Sequence, residues 1–296
     1  MPVTAEPVGD VTAVLGEGPY WRPEDEALLW VDVVRGLLHM TRVQLGETIT
    51  IELDPVSAAF PAVGGGIVTA GGHRLTLRAT RPGEGWAGRT IAEAPASDGV
   101  RFNDAAVDPA GRIWVGSMDI KEKKPLGTLY RLDTGATLTP VVKGATVSNG
   151  IGWSPDGTRM YYNDSPLRRI DMFDYDQATG EAFGGRVFAD LSRADGFPDG
   201  LTVDADGYVW VAMFAGGALR RFTPAGHQDA VLPLPVSQPT SCAFGGPGMA
   251  DLFVTTAYRD LTEAQRAAEP LAGRLLRLRP GPVGLPSSAT QAVIPS

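Results

Sequence analysis

One pattern recurs along this chain: a polar turn, then a short strand with an aromatic or aliphatic centre. It reads WRPEDEALLWVDV, VDPAGRIWVGSM, WSPDGTRMYYND, VDADGYVWVAMF and FGGPGMADLFVTTA, with GGGIVTA as a weaker copy. The strand centres fall at Trp30, Val68, Trp114, Tyr162, Trp210 and Phe253, so successive copies lie 38 to 48 residues apart. Each copy continues alike. A further strand follows (GLLHMTRV, HRLTLRAT, GTLYRLD, RRIDMFDYD, GALRRFTP, GRLLRLRP), then a more variable one (TITIELD, RTIAEAP, LTPVVKG, GRVFADL, AVLPLPV, QAVIPS). A repeat of that length with about four strands is the mark of a β-propeller. A lone four-stranded sheet cannot bury both faces, whereas six around an axis can, and closing the ring hides most edges.

The expectation is therefore an all-β, six-bladed β-propeller, with about four antiparallel strands per blade around a central channel, as one domain over residues 1–296. The N-terminal segment Val3–Val14 is expected to join the last blade and close the ring without a covalent link. Asp260–Ala268 (DLTEAQRAA) reads as a short helix inserted in that blade. An α/β fold would need strands alternating with amphipathic helices of about 10–15 residues, and almost none are present. The 37 glycines and 24 prolines suit many short strands joined by tight turns.

The segment leading into each polar turn is the strand nearest the axis: GEGPYW, SAAFPAVGG, RFNDAAVDP, SNGIGWSP, FPDGLTVDA and PTSCAFGG. At one place in four of them stands a polar group, Glu17, Asn103, Asn149 or Asp199, with Ser241 as a fifth candidate in the last. Taken singly, each is an ordinary turn former. In phase with the repeat, they converge on one point of the channel. Glycines follow at Gly18, Gly150 and Gly200, where the chain is expected to turn sharply or approach a ligand closely. Two carboxylates and two amides make an all-oxygen set, which favours calcium, magnesium or manganese and leaves zinc and ferrous iron open.

Other classes fit poorly. The formal charge is -8 and the longest basic run is KEKK at Lys121–Lys124, against a nucleic-acid or anionic-membrane partner. No apolar run approaches a membrane span. The N-terminus MPVTAEPVGD lacks the basic and apolar regions of a signal peptide. The single cysteine, Cys242, allows no internal disulfide and reads as a small buried residue, which fits a reducing, cytoplasmic location. The three histidines, His39, His73 and His227, lack the spacing of a zinc site. No GxSxG motif supports a serine hydrolase. Most tryptophans read as core. Trp86, Phe214 and Tyr258 are candidates for the pocket rim, and the loops at His73–Gly88 and Asp119–Leu126 look individual to this chain.

The motifs GEGPYW, RFNDAAVDPAGRIWVGSM, SNGIGWSPDG, DSPLRRI, FPDGLTVDADGYVWVA and PTSCAFGG resemble, in order, those of the SMP-30/gluconolactonase/LRE family, which includes regucalcin and sugar-acid lactonases. The resemblance implies a six-bladed propeller with one divalent cation in the channel, and hydrolysis of a sugar lactone. It implies Glu17, Asn149 and Asp199 as metal ligands, with Asp199 also the candidate general base. Arg101 and Asn103 would bind substrate. Where regucalcin-like members carry a further glutamate, this chain reads Asp119-Ile120-Lys121, and Asp119 is the candidate replacement. Asp199 either takes a proton from the attacking water or only guides it. A phosphotriesterase-like hydrolase and a non-catalytic calcium-binding propeller are the rival readings, in a monomer or small homo-oligomer.

Overall fold

Six four-stranded antiparallel sheets account for nearly every strand of the computed structural model, which describes residues 4–53, 55–78, 86–95, 97–133 and 135–291. Five sheets use strands consecutive in sequence. Blade 1, for example, holds Gly16–Arg22, Ala27–Asp32, Leu37–Arg42 and Glu47–Glu52. Blade 6 combines Pro239–Gly245, Asp251–Thr256 and Arg274–Leu278 with Glu6–Thr12 from the other end of the chain. Glu6 pairs with Arg277 and Thr12 with Arg274, so the ring closes by hydrogen bonds as expected. Glu6–Thr12 thus takes the outer place read for QAVIPS, whose one described residue, Gln291, donates its N–H to the Gly111 carbonyl. Residues 292–296, Val3 at the start of the closing segment, and residues 79–85 of the His73–Gly88 loop lie outside the described residues.

The innermost strands are Gly16–Arg22, Ala58–Pro61, Val100–Val107, Ser148–Trp153, Phe197–Val203 and Pro239–Gly245. Each touches its successor and the last touches the first. Blade 3 therefore faces blade 6 across the axis. All six predicted strand centres are buried.

The repeated turn has a chemical reason. In VDPAGRIW, the Asp108 carboxylate accepts from the N–H groups of Ala110 and Arg112, then from Trp114 Nε1 at 3.2 Å and the Tyr175 hydroxyl at 2.6 Å. In VDADGYVW, Asp204 accepts from Asp206, Tyr208 and Trp210 Nε1. One aspartate thus closes the turn and anchors the indole of the next strand. It is fully buried with its lone pairs used.

The inserted helix runs Glu263–Ala268, three residues shorter at its start than expected. Asp260 adopts a left-handed φ of 61°, so the helix begins only after Thr262, which forms a capping box with Gln265. No described helix is long and apolar enough to cross a membrane.

Where the inner strands end, the C-terminal segment crosses the channel. Val283 and Gly284 hydrogen-bond Ala205 and Met249 on blades 5 and 6, and Thr290 and Gln291 bond Pro61, Val63 and Gly111 on blades 2 and 3. Leu285–Ser288 line a cavity of about 350 Å³ together with Tyr20, Trp153 and Phe244.

His39 gives the fold a pH dependence. It is 2% exposed and packs on Trp30 at 4.4 Å, and its Nε2 is buried without a partner among the described residues. Burial holds its pKa down to about 4. The unfolded chain takes up this proton near pH 6.5, so the contribution is complete above that pH and is lost as pH falls toward 4. The melting temperature of the wild type relative to His39→Asn is expected to shrink across that window. A difference that stays constant with pH would refute this.

Candidate metal centre and active site

At the opposite end of the channel, the mouth, the inner strands begin. Five of the six break register with the second strand there. The breaks lie between Glu17 and Tyr20, Phe102 and Ala105, Ser148 and Ile151, Pro198 and Leu201, and Pro239 and Ser241. Ala58–Pro61 pairs regularly, and it is the inner strand without a candidate polar residue. A bulge sets extra residues opposite one partner and re-aims their side chains. In blades 3, 4 and 5 the bulged pairs are Asn103–Asp104, Asn149–Gly150 and Asp199–Gly200. In blade 1 the bulge falls one place later, on Gly18 and Pro19, and Glu17 stands at its edge.

The bulges bring Glu17, Asn103, Asn149 and Asp199 together. Asn103 Nδ2 donates to Asn149 Oδ1 at 3.1 Å and to the Ser148 carbonyl at 3.0 Å. Asn149 Nδ2 donates to Ser165 Oγ at 2.9 Å. Arg101 Nη1 donates to Asn103 Oδ1 at 3.1 Å and the Phe102 carbonyl at 2.8 Å. Asn163 Nδ2 supports the Asp199 backbone carbonyl at 2.8 Å.

A residue the sequence reading passed over joins them. That residue is Asp104, which shares the blade 3 bulge with Asn103. Burial pushes its carboxyl up to about 6. Burial first, then the Asp104 charge, pushes Glu17 up to about 8. Asp199 is raised by burial, then by Glu17 and Asp104. The charges of Glu17, Asp104 and Asp199 thus reach one another, with Asp199 buried and Glu17 and Asp104 half-buried. Arg101 adds a positive charge that is itself disfavoured by burial.

Asp119 lies beside this group but is committed elsewhere. Its carboxylate, 4% exposed, accepts from the N–H groups of Lys121, Lys123 and Lys124. Asp32 and Asp164, each also the last residue of a second strand, hold backbone N–H groups of Val14 and Thr146 in the same manner. The carboxylate whose charge reaches Asp199 and Arg101 from that loop is Glu122. Ser241 packs against Gly200. Trp86 packs on the apolar cluster around Leu29, Val31 and Ile67. Phe214 ends the second strand of blade 5 at the mouth, and Tyr258 accepts there from Arg35 at 2.8 Å. Cys242 is buried and its thiol is raised in pKa, as suits a packing residue.

The donor chemistry fits a divalent cation. Asp199 Oδ1 is buried with no hydrogen-bond partner among the described residues. Glu17 has one backbone donor, Gly18, at 3.3 Å. Among the described residues no group of three or more His, Cys, Asp or Glu side chains forms a ready cage. The set that fits is two carboxylates, Glu17 and Asp199, completed by the amide oxygen of Asn149.

Known proteins share this architecture. The model of the SMP-30/Gluconolactonase/LRE-like region matches residues 15–258. The chain is 34% identical to pentonolactonase XacC of Haloferax volcanii, over 96% of this chain and 97% of that one. It is 34% identical to regucalcin of Danio rerio, over 88% of each. The crystal structure of a calcium-binding protein, regucalcin, from Agrobacterium tumefaciens superposes with a TM-score of 0.92 at 28% identity, covering 98% of both chains. The chain belongs to the SMP-30/gluconolactonase/LRE-like family.

Proposed function

We propose that this chain is a divalent-cation-dependent lactonase that opens a sugar lactone to the aldonic acid. One observation carries the reading: Asp199 Oδ1 is buried with no hydrogen-bond partner among the described residues, within reach of the Glu17 and Asp104 charges, and the Arg101–Asn103 donor pair stands at the same end of the channel. Relatives bearing lactonase names support it, among them the 6-deoxy-6-sulfogluconolactonase of Pseudomonas putida at 30% identity.

Glu17, Asn149 and Asp199 would hold the cation, which when bound polarises an ester carbonyl and favours deprotonation of water. Asp199, held beside the cation, would take or guide the proton of the attacking water. Arg101 donates toward the developing oxyanion or the ring hydroxyls, and Asn103 orients beside it. Water adds to the carbonyl carbon, the ring C–O bond breaks, and the ring oxygen leaves as a hydroxyl. The acid product releases one proton per turnover at neutral pH. Asp119 acts by folding its loop, and Glu122 is the carboxylate offered to substrate hydroxyls.

Acid release from a panel of aldonolactones, with and without chelator, tests this. Chelator-sensitive turnover is expected. Turnover of organophosphates alone would favour phosphotriester hydrolysis. Tight calcium binding with no turnover would leave a binding protein, as the calcium-binding relative from Agrobacterium tumefaciens is described.

Cation affinity is expected to rise with pH. Without cation, Glu17 keeps its proton up to about pH 8, and a bound cation must displace it. Asp199 is raised as well, so binding near pH 7 releases at least one proton, and affinity falls as pH drops. Calorimetry in buffers of different ionisation enthalpy measures this, and zero release would contradict it.

A further inference from the structure

The two ends of the channel are bridged in different ways. At the far end the crossing segment is tied to four blades by backbone hydrogen bonds. At the mouth, residues 120–126 of blade 3 reach Arg259 on blade 6, and these blades stand opposite each other in the ring. The bond across is one ion pair, Arg259 Nη1 to Glu122 Oε1 at 3.1 Å.

Both ends of this bridge are prepared. Glu122 holds a left-handed φ of 58°, and its N–H donates to the Asp119 carbonyl at 2.8 Å. Asp119 then gathers the neighbouring N–H groups of Lys121, Lys123 and Lys124, so the segment is folded as a unit from its root. Arg259 is pinned by its backbone. Its N–H donates to Val14 at 3.0 Å, and its carbonyl accepts from Gln238 Nε2 at 2.9 Å. The contact between the two is exposed, with 42% of the Glu122 side chain and 37% of the Arg259 side chain accessible, and Arg259 Nε also pairs with the exposed Asp260 at 3.2 Å. Exposed ion pairs are weak and salt-sensitive. The segment is thus rigid at its root and releasable at its tip. Glu122 lies close enough to the centre for its charge to act on Asp199 and Arg101.

We propose that Arg259 is a positioning residue for substrate binding: its ion pair clasps residues 120–126 across the mouth and holds the Glu122 carboxylate over the candidate centre, where it receives substrate hydroxyls. What Glu122 receives rests on the lactonase reading, whereas the clasp does not. Release of the clasp opens the mouth for entry and exit, and closure completes the substrate contacts.

Four proteins test it: wild type, Arg259→Gln, Glu122→Gln and the exchange Glu122→Arg with Arg259→Glu. Cutting after Lys121 and Lys123 by a lysine-specific endoproteinase under native conditions reads the clasp alone, since that enzyme does not cut after arginine and gains no site from the exchange. Arg259→Gln and Glu122→Gln are expected to be cut about fivefold faster than wild type, and the exchange to return toward the wild-type rate. Added salt is expected to speed cutting of the wild type but not of Arg259→Gln. Kinetics read the positioning. Arg259→Gln is expected to raise KM about fivefold with kcat within about twofold and cation affinity unchanged. The exchange restores resistance to the lysine-specific protease without restoring KM, because the carboxylate no longer sits over the centre. Equal cutting of wild type and Arg259→Gln overturns the clasp. An unchanged KM in Arg259→Gln overturns the positioning role. A wild type that turns over no lactone sinks the lactonase reading and the role of Glu122 toward substrate, while the lysine-specific protease still decides the clasp.

Discussion

Asp199→Asn is expected to lose lactone turnover by about 10³-fold while leaving the cation-free protein as stable as wild type or more so. The two effects share one cause. Asp199 is buried, its carboxyl is raised by burial and by the charges of Glu17 and Asp104, and Oδ1 has no hydrogen-bond partner among the described residues. In the cation-free fold such a group is a cost, because a charge out of water with like charges beside it destabilises. The amide keeps the shape and removes the repulsion. It also removes the base and half of the charge that would hold the cation. The signature is a pair of melting curves. In chelator the variant melts no lower than wild type. With cation at about a thousand times its Kd, the wild type gains about 4 kcal/mol and the variant gains little. A variant that melts clearly lower in chelator would mean that Asp199 serves the fold and not a ligand. Wild-type rates would remove it from the chemistry.

The repeat was readable because its chemistry is repeated. Asp108 with Trp114 and Asp204 with Trp210 use one turn and one indole bond twice, so the letters recur in phase. The N-terminal segment closes the ring as a propeller requires, in the outer place that counting strands gives to QAVIPS. The convergence of Glu17, Asn149 and Asp199 followed from phase alone. What escaped depends on bulges and loops, which leave no period. In a regular strand, Asn103 and Asp104 would face opposite ways. Here both stand opposite one partner residue, so neither alternation nor repeat length reveals that Asp104 joins the carboxylates. Asp119 suggested a substrate ligand by its place after the GSM motif. Its three backbone partners are made by a local loop fold that a single sequence does not announce. The contact of Glu122 with Arg259, 137 residues away, depends on blades 3 and 6 being opposed.

The glycines after the site residues also have a different purpose from the one expected, and this yields the second large effect. Gly18 does turn the chain, with φ of 56°. Gly150 and Gly200 have no positive φ and instead make room for the next blade. A Cβ on Gly150 would lie 2.6 Å from the Asp199 carbonyl oxygen. A Cβ on Gly200 would lie 2.0 Å from Ser241 Oγ, 2.4 Å from Ser241 Cβ and 2.8 Å from Ser241 Cα. A rotamer change moves Oγ but not Cβ or Cα, so Gly200→Ala must push blades 5 and 6 apart. The expected loss is about 3 kcal/mol, or about 6–12 °C in melting temperature for a chain of this size. Asp199 is the preceding residue, so its carboxylate moves as well and cation affinity falls with stability. Coupling to Ser241 separates this from a generic glycine effect. Ser241→Gly alone loses about 1 kcal/mol through added chain freedom, yet in the Gly200→Ala background it removes the two nearest clashes and raises the melting temperature. Strict additivity of the two substitutions in thermal melts would show that the inner strands of blades 5 and 6 do not meet at this point.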